Sequence, residues 1–292
     1  MIERLCIVGV GLIGGSIARA ARAAGVCRSV VGVDACADNL AEAKALGVID
    51  EGYDEVAAGA AGADWVVIAT PVGAVPQVFA ALKPIWSDLG LCTDAGSTKQ
   101  DVVAAAAAAL GELPANFVPG HPIAGAERSG VGAANAELYR GKRVILTPLE
   151  GVTDPAAVGR VSAFWERLGA RVSCMDPAHH DQVLAATSHL PHVLAFALTH
   201  MLGRQDEQQE IFRYAAGGFR DFTRIASSDP RMWRDICVAN RDQIVAQLRH
   251  YGEELVQLEA LLERGDATAL FDYFTEAREA RQRFLDQLET PP

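Results

Sequence analysis

The chain has little that would take it to a membrane, to nucleic acid or out of the cell. No apolar run approaches the roughly 20 residues that a spanning helix needs. The opening Met1-Ile2-Glu3-Arg4 turns glycine-rich by Gly9, which leaves no apolar block suited to a secretory signal. Basic residues are in the minority, 26 Lys and Arg against 37 Asp and Glu, for a formal net charge of -11. Surfaces that hold nucleic acid or anionic lipid need clustered cations, so neither partner is expected, although small anions can bind at local basic sites. The six cysteines (Cys6, Cys27, Cys36, Cys92, Cys174, Cys237) show neither C-x-x-C nor zinc-type spacing. They read as buried thiols in a reducing compartment, with the cytoplasm as the expected location and no bound metal.

What is present is enough apolar material for two domains, since 50% of the 292 residues are hydrophobic, and this excludes a disordered chain. Residues 4 to about 176 alternate short β-branched runs with helical stretches, the pattern of βαβ units. Leu5-Cys6-Ile7-Val8, Val30-Val31-Gly32-Val33, Trp65-Val66-Val67-Ile68 and Val144-Ile145-Leu146 are nearly all apolar, as strands covered on both faces should be. After Met175-Asp176-Pro177 such runs cease and long helical patterns follow. Asp229-Pro230 reads as an N-cap with proline at the first helical position. Beyond it Ile244, Leu248, Tyr251, Leu255, Leu258 and Leu262 recur at steps of four and three, forming one apolar seam. A second copy of the chain is the expected cover for that seam, and an intrachain bundle is the alternative.

Gly9-Val10-Gly11-Leu12-Ile13-Gly14 directly follows the first strand and opens a helix. In that context the first glycine permits the tight turn and the second lets backbone approach a pyrophosphate. The third lets helix and strand pack closely, and the helix N-terminus faces the negative charge. Asp34 ends the second strand about 20 residues beyond Gly14, where its carboxylate can accept from both adenine-ribose hydroxyls and would repel a 2′-phosphate. NAD is therefore the expected cofactor. Thr70 and Pro71, at the end of a third strand, are expected to line the same groove with their backbone. The fold class is thus an α/β Rossmann domain with a mainly parallel sheet over residues 1–176, followed by an all-α helical domain over residues 177–292.

Two further segments follow later strands: Asp94-Ala95-Gly96-Ser97-Thr98-Lys99, and His121-Pro122-Ile123-Ala124-Gly125-Ala126-Glu127. Both are expected to face the nicotinamide. Oxidising an alcohol needs a group that takes the hydroxyl proton as hydride departs, and a neutral histidine titrates in the right range, which makes His121 the candidate base. Ser97 can hold the same oxygen by a hydrogen bond. Taken singly, either residue reads equally well as a satisfied turn residue. In the helical half, Thr187-Ser188-His189-Leu190-Pro191-His192 and the run from Gly217 to Ala226 place polar residues in apolar surroundings, with Trp233 close behind.

Taken in order with the glycine turn, Asp-Ala-Gly-Ser-Thr-Lys and His-Pro-Ile-Ala-Gly, these segments resemble the prephenate/arogenate (cyclohexadienyl) dehydrogenase family of tyrosine biosynthesis. The resemblance runs from the first strand to beyond Trp233. It implies an NAD-linked oxidative decarboxylation of prephenate and/or arogenate to 4-hydroxyphenylpyruvate and/or tyrosine. Hydride leaves the hydroxyl-bearing ring carbon, carbon dioxide is lost and the ring becomes aromatic. On this resemblance His121 accepts a hydrogen bond from the ring hydroxyl, Ser97 helps to hold it, and Arg224 binds a substrate carboxylate. That last role suits the physical need to place positive charge locally in an acidic protein. His192, with His189 nearby, matches a substrate-pocket histidine, Trp233 a pocket wall and Glu127 a polar gate. Arg220 is a weaker carboxylate candidate, and Asp221 a candidate for orienting one of the bases. The bland readings are helix bridges for the histidines, a surface ion pair for Arg224 and core packing for Trp233.

Two other functions fit parts of the pattern. A two-domain dehydrogenase of the β-hydroxyacid type would share the glycine turn but not the later segments, and a non-catalytic dinucleotide-sensing module would not need both Ser97 and His121. Neither a fused chorismate mutase nor a separate regulatory domain is expected within this length, so any inhibition by tyrosine is expected at the active site.

Overall fold

The computed structural model describes residues 1–126 and 128–289. The first part of the chain alternates strands and helices: β1 (Ile2–Val8), α1 (Leu12–Ala23), β2 (Cys27–Val33), α2 (Ala37–Ala45), β3 (Glu51–Tyr53), α3 (Val56–Ala60), β4 (Trp65–Ile68), α4 (Val75–Leu82), β5 (Leu91–Asp94) and α5 (Gln100–Leu110). Then come β6 (Phe117–Val118), β7 (Gly120–Pro122), β8 (Arg143–Leu146), α6 (Pro155–Arg167) and β9 (Arg171–Cys174). The strands β1 to β6 form one all-parallel sheet in the order β3-β2-β1-β4-β5-β6, the Rossmann order.

The near-continuous apolar runs are explained by two-sided burial. Along β1, Leu5 and Ile7 enter one core layer with Ile17, Val67 and Trp165, while Cys6 and Val8 enter the other with Val66, Phe79 and Leu82. Alternate residues thus meet helices on opposite faces, so residues 5–8 are apolar throughout.

Pro119 marks a change of sheet. β6 pairs with β5 only through Phe117 and Val118, and β7 then runs antiparallel to β8, which is parallel to β9. Proline has no amide hydrogen to continue the first ladder, and its carbonyl instead accepts from the Thr147 amide at 2.9 Å. His121 therefore lies within a strand of a second, three-stranded sheet, not beyond the end of the run that leads to it.

From Asp176 onward every regular element among the described residues is helical, and the α-helices are α7 (Pro177–Leu184), α8 (Leu190–Leu202), α9 (Gln208–Arg213), α10 (Gly217–Thr223), α11 (Pro230–Ala239), α12 (Arg241–Arg264) and α13 (Ala267–Glu289). Asp176 and Asp229 each cap a helix whose first residue is proline. Asp176 accepts from the Ala178 and His179 amides, and Asp229 from those of Arg231 and Met232. By internal contacts the chain forms two compact units, Met1–Gln243 and Ile244–Pro292. In the second unit the Tyr273 hydroxyl meets Glu254 at 3.3 Å, linking α13 to α12. Of the apolar seam, Ile244 is buried, whereas Tyr251, Leu255 and Leu262 are exposed, as are Phe271 and Phe274.

All six cysteines are free thiols, but not all are buried: Cys36 and Cys174 are exposed. Cys36 sits in the turn after β2 and Cys174 ends β9, at an edge of the small sheet, so neither reaches a core. No helix among the described residues is long and apolar enough to cross a membrane.

Candidate active site

The glycine turn has the shape its spacing predicts. Gly9 has φ +93°, and a Cβ there would stand 2.7 Å from the Ala69 carbonyl oxygen, while a Cβ on Gly14 would fall 2.0 Å from the Gly9 oxygen. A side chain at either place would push strand, turn and helix apart. A Cβ on Gly11, by contrast, would meet nothing within 4 Å. That open side belongs to a cleft of about 950 Å³ lined by Gly11, Leu12, Ile13, Asp34, Thr70, Pro71 and Ser97. Tyr139 steadies the turn by donating its hydroxyl to the Ile13 carbonyl at 2.7 Å. Asp34 is fixed at the cleft edge, accepting from the Val10 amide at 3.1 Å, the Cys36 amide at 2.9 Å and the Asn39 side chain at 2.8 Å. An open helix N-terminus with no acidic residue in its first turn, and a carboxylate lining the same cleft, suit an NAD pyrophosphate and diol.

Ser97 reaches the same cleft because the turn after β5 is clamped from below. The Lys99 ammonium and Asp94 carboxylate form a fully buried ion pair. Lys99 Nζ also donates to the Gly120 carbonyl at 2.7 Å, and Asp94 accepts from the Gly96 amide at 2.8 Å and the Gly120 amide at 3.0 Å. These bonds satisfy both buried charges and tie the Ser97 turn to the residue before His121.

His121 lies beneath this turn, 9% exposed. Its Nδ1 is 2.9 Å from His180 Nε2, and His180 Nδ1 is 2.8 Å from Asp181 Oδ1. Asp181 in turn accepts from the backbone amides of Lys99 and Gln100 at the start of α5, at 2.8 and 2.9 Å. Burial alone would raise the Asp181 carboxyl, but the bonds from His180 and these amides together hold it below the usual range. Burial, and then the neighbouring His180, Lys99 and His189, push His121 well below the ordinary histidine value. It is therefore a neutral imidazole at pH 7.

His189, His192 and Trp233 form a second group. Asn240, at the break between α11 and α12, donates its side-chain amide to the Asp181 carbonyl at 2.8 Å and to His189 Nδ1 at 3.1 Å. His192 stacks on Trp233 with ring centroids 3.9 Å apart and lies 2.9 Å, through Nδ1, from the Ser188 carbonyl. Trp233 packs with Val72 and Ile236. Arg224, in the turn after α10, lines a second cavity of about 560 Å³ with Ala126, Arg128, Gly132 and Ala133. Its charge lowers His192, after the larger effect of burial. Ala126 and Arg128 also line the large cleft, so the two cavities share a wall.

The candidate residues thus fall into a cofactor cleft that includes Ser97, a buried imidazole chain that ends at His121, and an aromatic and cationic group of His189, His192, Trp233 and Arg224. His121 is not among the residues lining either cavity. Glu127 lies outside the described residues. Arg220 and Asp221 pair with each other at 3.7 Å on the surface, and the carboxylate in the imidazole chain is Asp181, not Asp221. His180, Asp181 and Asn240 do not emerge from the sequence reading, and Asp94 and Lys99 enter it only as the ends of the Ser97 segment. The available signals were His179-His180-Asp181 just inside a capped helix and the lysine that closes the Ser97 segment.

Neutral burial of histidine has a cost in acid. His189 is pushed down to about 4, mainly by burial, and His121 lies well below its ordinary value. Between pH 6.5 and 4 the unfolded chain takes up a proton at His189 that the folded chain does not, and His121 acts in the same direction. Stability is therefore fully present above pH 6.5 and lost as pH falls, by up to about 1.4 kcal/mol per histidine per pH unit. Urea unfolding at pH 7 and pH 5 should show this fall, with proton uptake on unfolding. Equal stability at the two pH values would rule out neutral burial.

Residues 17–174 match the prephenate dehydrogenase nucleotide-binding domain, and residues 176–276 the prephenate dehydrogenase dimerization domain. The chain is 37% identical over 285 residues to the cyclohexadienyl dehydrogenase of Zymomonas mobilis, covering 96% of each chain. It is 39% identical over 284 residues to the prephenate dehydrogenase of Bacillus subtilis, covering 96% of this chain and 76% of that one. The crystal structure of prephenate dehydrogenase from A. aeolicus in complex with hydroxyphenyl propionate and NAD+ superposes with a TM-score of 0.90 at 37% identity, over 97% of this chain and 99% of that chain. With a glycine turn built for a dinucleotide, a buried imidazole whose strand is tied to the Ser97 turn and both family domains spanning most of its length, the chain belongs to the prephenate dehydrogenase family.

Proposed function

We propose that this protein removes hydride from the hydroxyl-bearing ring carbon of a cyclohexadienol, prephenate and/or arogenate, with loss of carbon dioxide, to give 4-hydroxyphenylpyruvate and/or tyrosine. NAD, when bound, supplies the hydride acceptor. Gly11, Leu12 and Ile13 present the α1 N-terminus to its pyrophosphate, Asp34 takes the adenine-ribose hydroxyls, and Thr70 and Pro71 line its path with backbone. Gly9 and Gly14 keep that turn close to the sheet.

The observation that carries the reading is the buried imidazole of His121, on a strand tied through Gly120 to the clamped Ser97 turn. A neutral imidazole can take the hydroxyl proton as the carbon is oxidised, and Ser97 holds the same oxygen. Arg224 binds a substrate carboxylate by a charge-assisted fork, with His192, His189 and Trp233 walling the ring. Loss of carbon dioxide makes the ring aromatic, which draws the reaction forward.

Residues 1–176 carry the dinucleotide in this reading, and residues 177–292 bind the ring and join two copies as a homodimer. The exposed Tyr251, Leu255 and Leu262 of α12 support that assembly. Six free thiols, two of them exposed, support a cytoplasmic location.

Following NADH absorbance with prephenate and arogenate side by side tests the reading. Turnover is expected with at least one of them. No reduction of NAD with either, by folded protein that binds NAD, would overturn it.

A further inference from the structure

The imidazole of His121 is one end of a hydrogen-bonded chain, and the chain decides which of its nitrogens carries hydrogen. Asp181 is held by two backbone amides at the start of α5, so its carboxylate can only accept, and His180 Nδ1 must donate to it. A His180 ring with a single hydrogen then has Nε2 bare, and that nitrogen accepts from His121 Nδ1. That leaves His121 Nε2 without hydrogen, the form a base needs. We propose that His180 and Asp181 are positioning residues for the reaction: they lock His121 in the Nδ1–H tautomer and share the proton it takes from substrate. This rests on the dienol reading given above.

The step balances without any oxidant. The substrate O–H bond breaks and an N–H bond forms at His121 Nε2. The hydrogen on His121 Nδ1 shifts to His180 Nε2, and the resulting imidazolium faces the Asp181 carboxylate. After carbon dioxide has left, the same shifts in reverse return the proton to the ring oxygen. No heavy atom moves. A lone His121 would have to hold this charge in a buried position within the influence of the Lys99 ammonium, His180 and His189. Moving the charge one ring inward places it against a carboxylate that α5 already holds ionised.

The first test uses the wild-type protein labelled with 15N-histidine, because ring nitrogen shifts distinguish the tautomers. At pH 7, His121 and His180 are both expected to carry hydrogen on Nδ1 and none on Nε2, with assignment by the signals lost in His121→Asn. His121 protonated at Nε2, or His180 protonated on both nitrogens, would overturn the proposal. This readout needs no substrate, so it stands or falls separately from the assigned reaction.

The second test is kinetic. Asp181→Asn is expected to lower kcat by about 100-fold, while KM for the dienol stays within about twofold. Its acid limb in the kcat profile should shift, and Asp181→Glu should restore part of the rate. The profile is read against the groups that face His121, namely His180, His189 and Lys99, and against Asp101, which faces Asp181. Equal losses in kcat and affinity with an unmoved pH profile would reduce Asp181 to a structural tie and overturn the relay.

Discussion

His121→Ala will lower kcat for the dienol by about 10²–10⁴-fold and leave its KM within a few-fold. The hydroxyl proton must leave in step with hydride, and among the described residues His121 is the neutral imidazole next to the Ser97 turn. Binding should survive, because the cofactor cleft is built from Gly11, Leu12, Ile13, Asp34, Thr70 and Pro71, and the carboxylate contact is assigned to Arg224. Initial rates over a range of dienol concentrations, with NAD affinity measured by protein fluorescence, separate the two effects. An unchanged kcat would remove His121 from the chemistry. A collapse of NAD affinity would mean that the variant had disturbed the Gly120 and Lys99 clamp instead.

Arg224→Ala should act on the other constant. A charge-assisted bond between guanidinium and carboxylate contributes about 1.5–3 kcal/mol, so KM for the dienol should rise roughly 10–150-fold with a much smaller change in kcat. Arg224→Lys should recover only part of the loss, because a point charge cannot form the two parallel bonds of a guanidinium. The effect should weaken at high salt, since this turn is exposed. A KM unchanged by both substitutions would return Arg224 to the surface ion-pair reading.

How much of this was legible in the chain depended on how local each constraint was. The strands could be read because both faces of each are covered, which leaves no polar position in Leu5-Cys6-Ile7-Val8 or Trp65-Val66-Val67-Ile68. The caps at Asp176 and Asp229 could be read because side chain, amides and proline lie within four residues. The exposure of Cys36 and Cys174 could not, since an apolar thiol gives no sign of lying in a turn or at a sheet edge. The change of sheet at Pro119 was signalled by the proline itself but could not be given a destination without β8.

The amino-acid order alone determined the glycine turn, the carboxylate at Asp34, the change from strands to helices after Asp176 and the ordered segments that mark the family, because each is set by residues near one another in the chain. Only the tertiary structure decided which buried groups meet. His121 and His180 are 59 residues apart, and Asp181 lies 82 residues from the Lys99 amide that holds it. No periodicity links such positions, and hydrogen bonding in a buried site then dictates the tautomer that the chemistry requires.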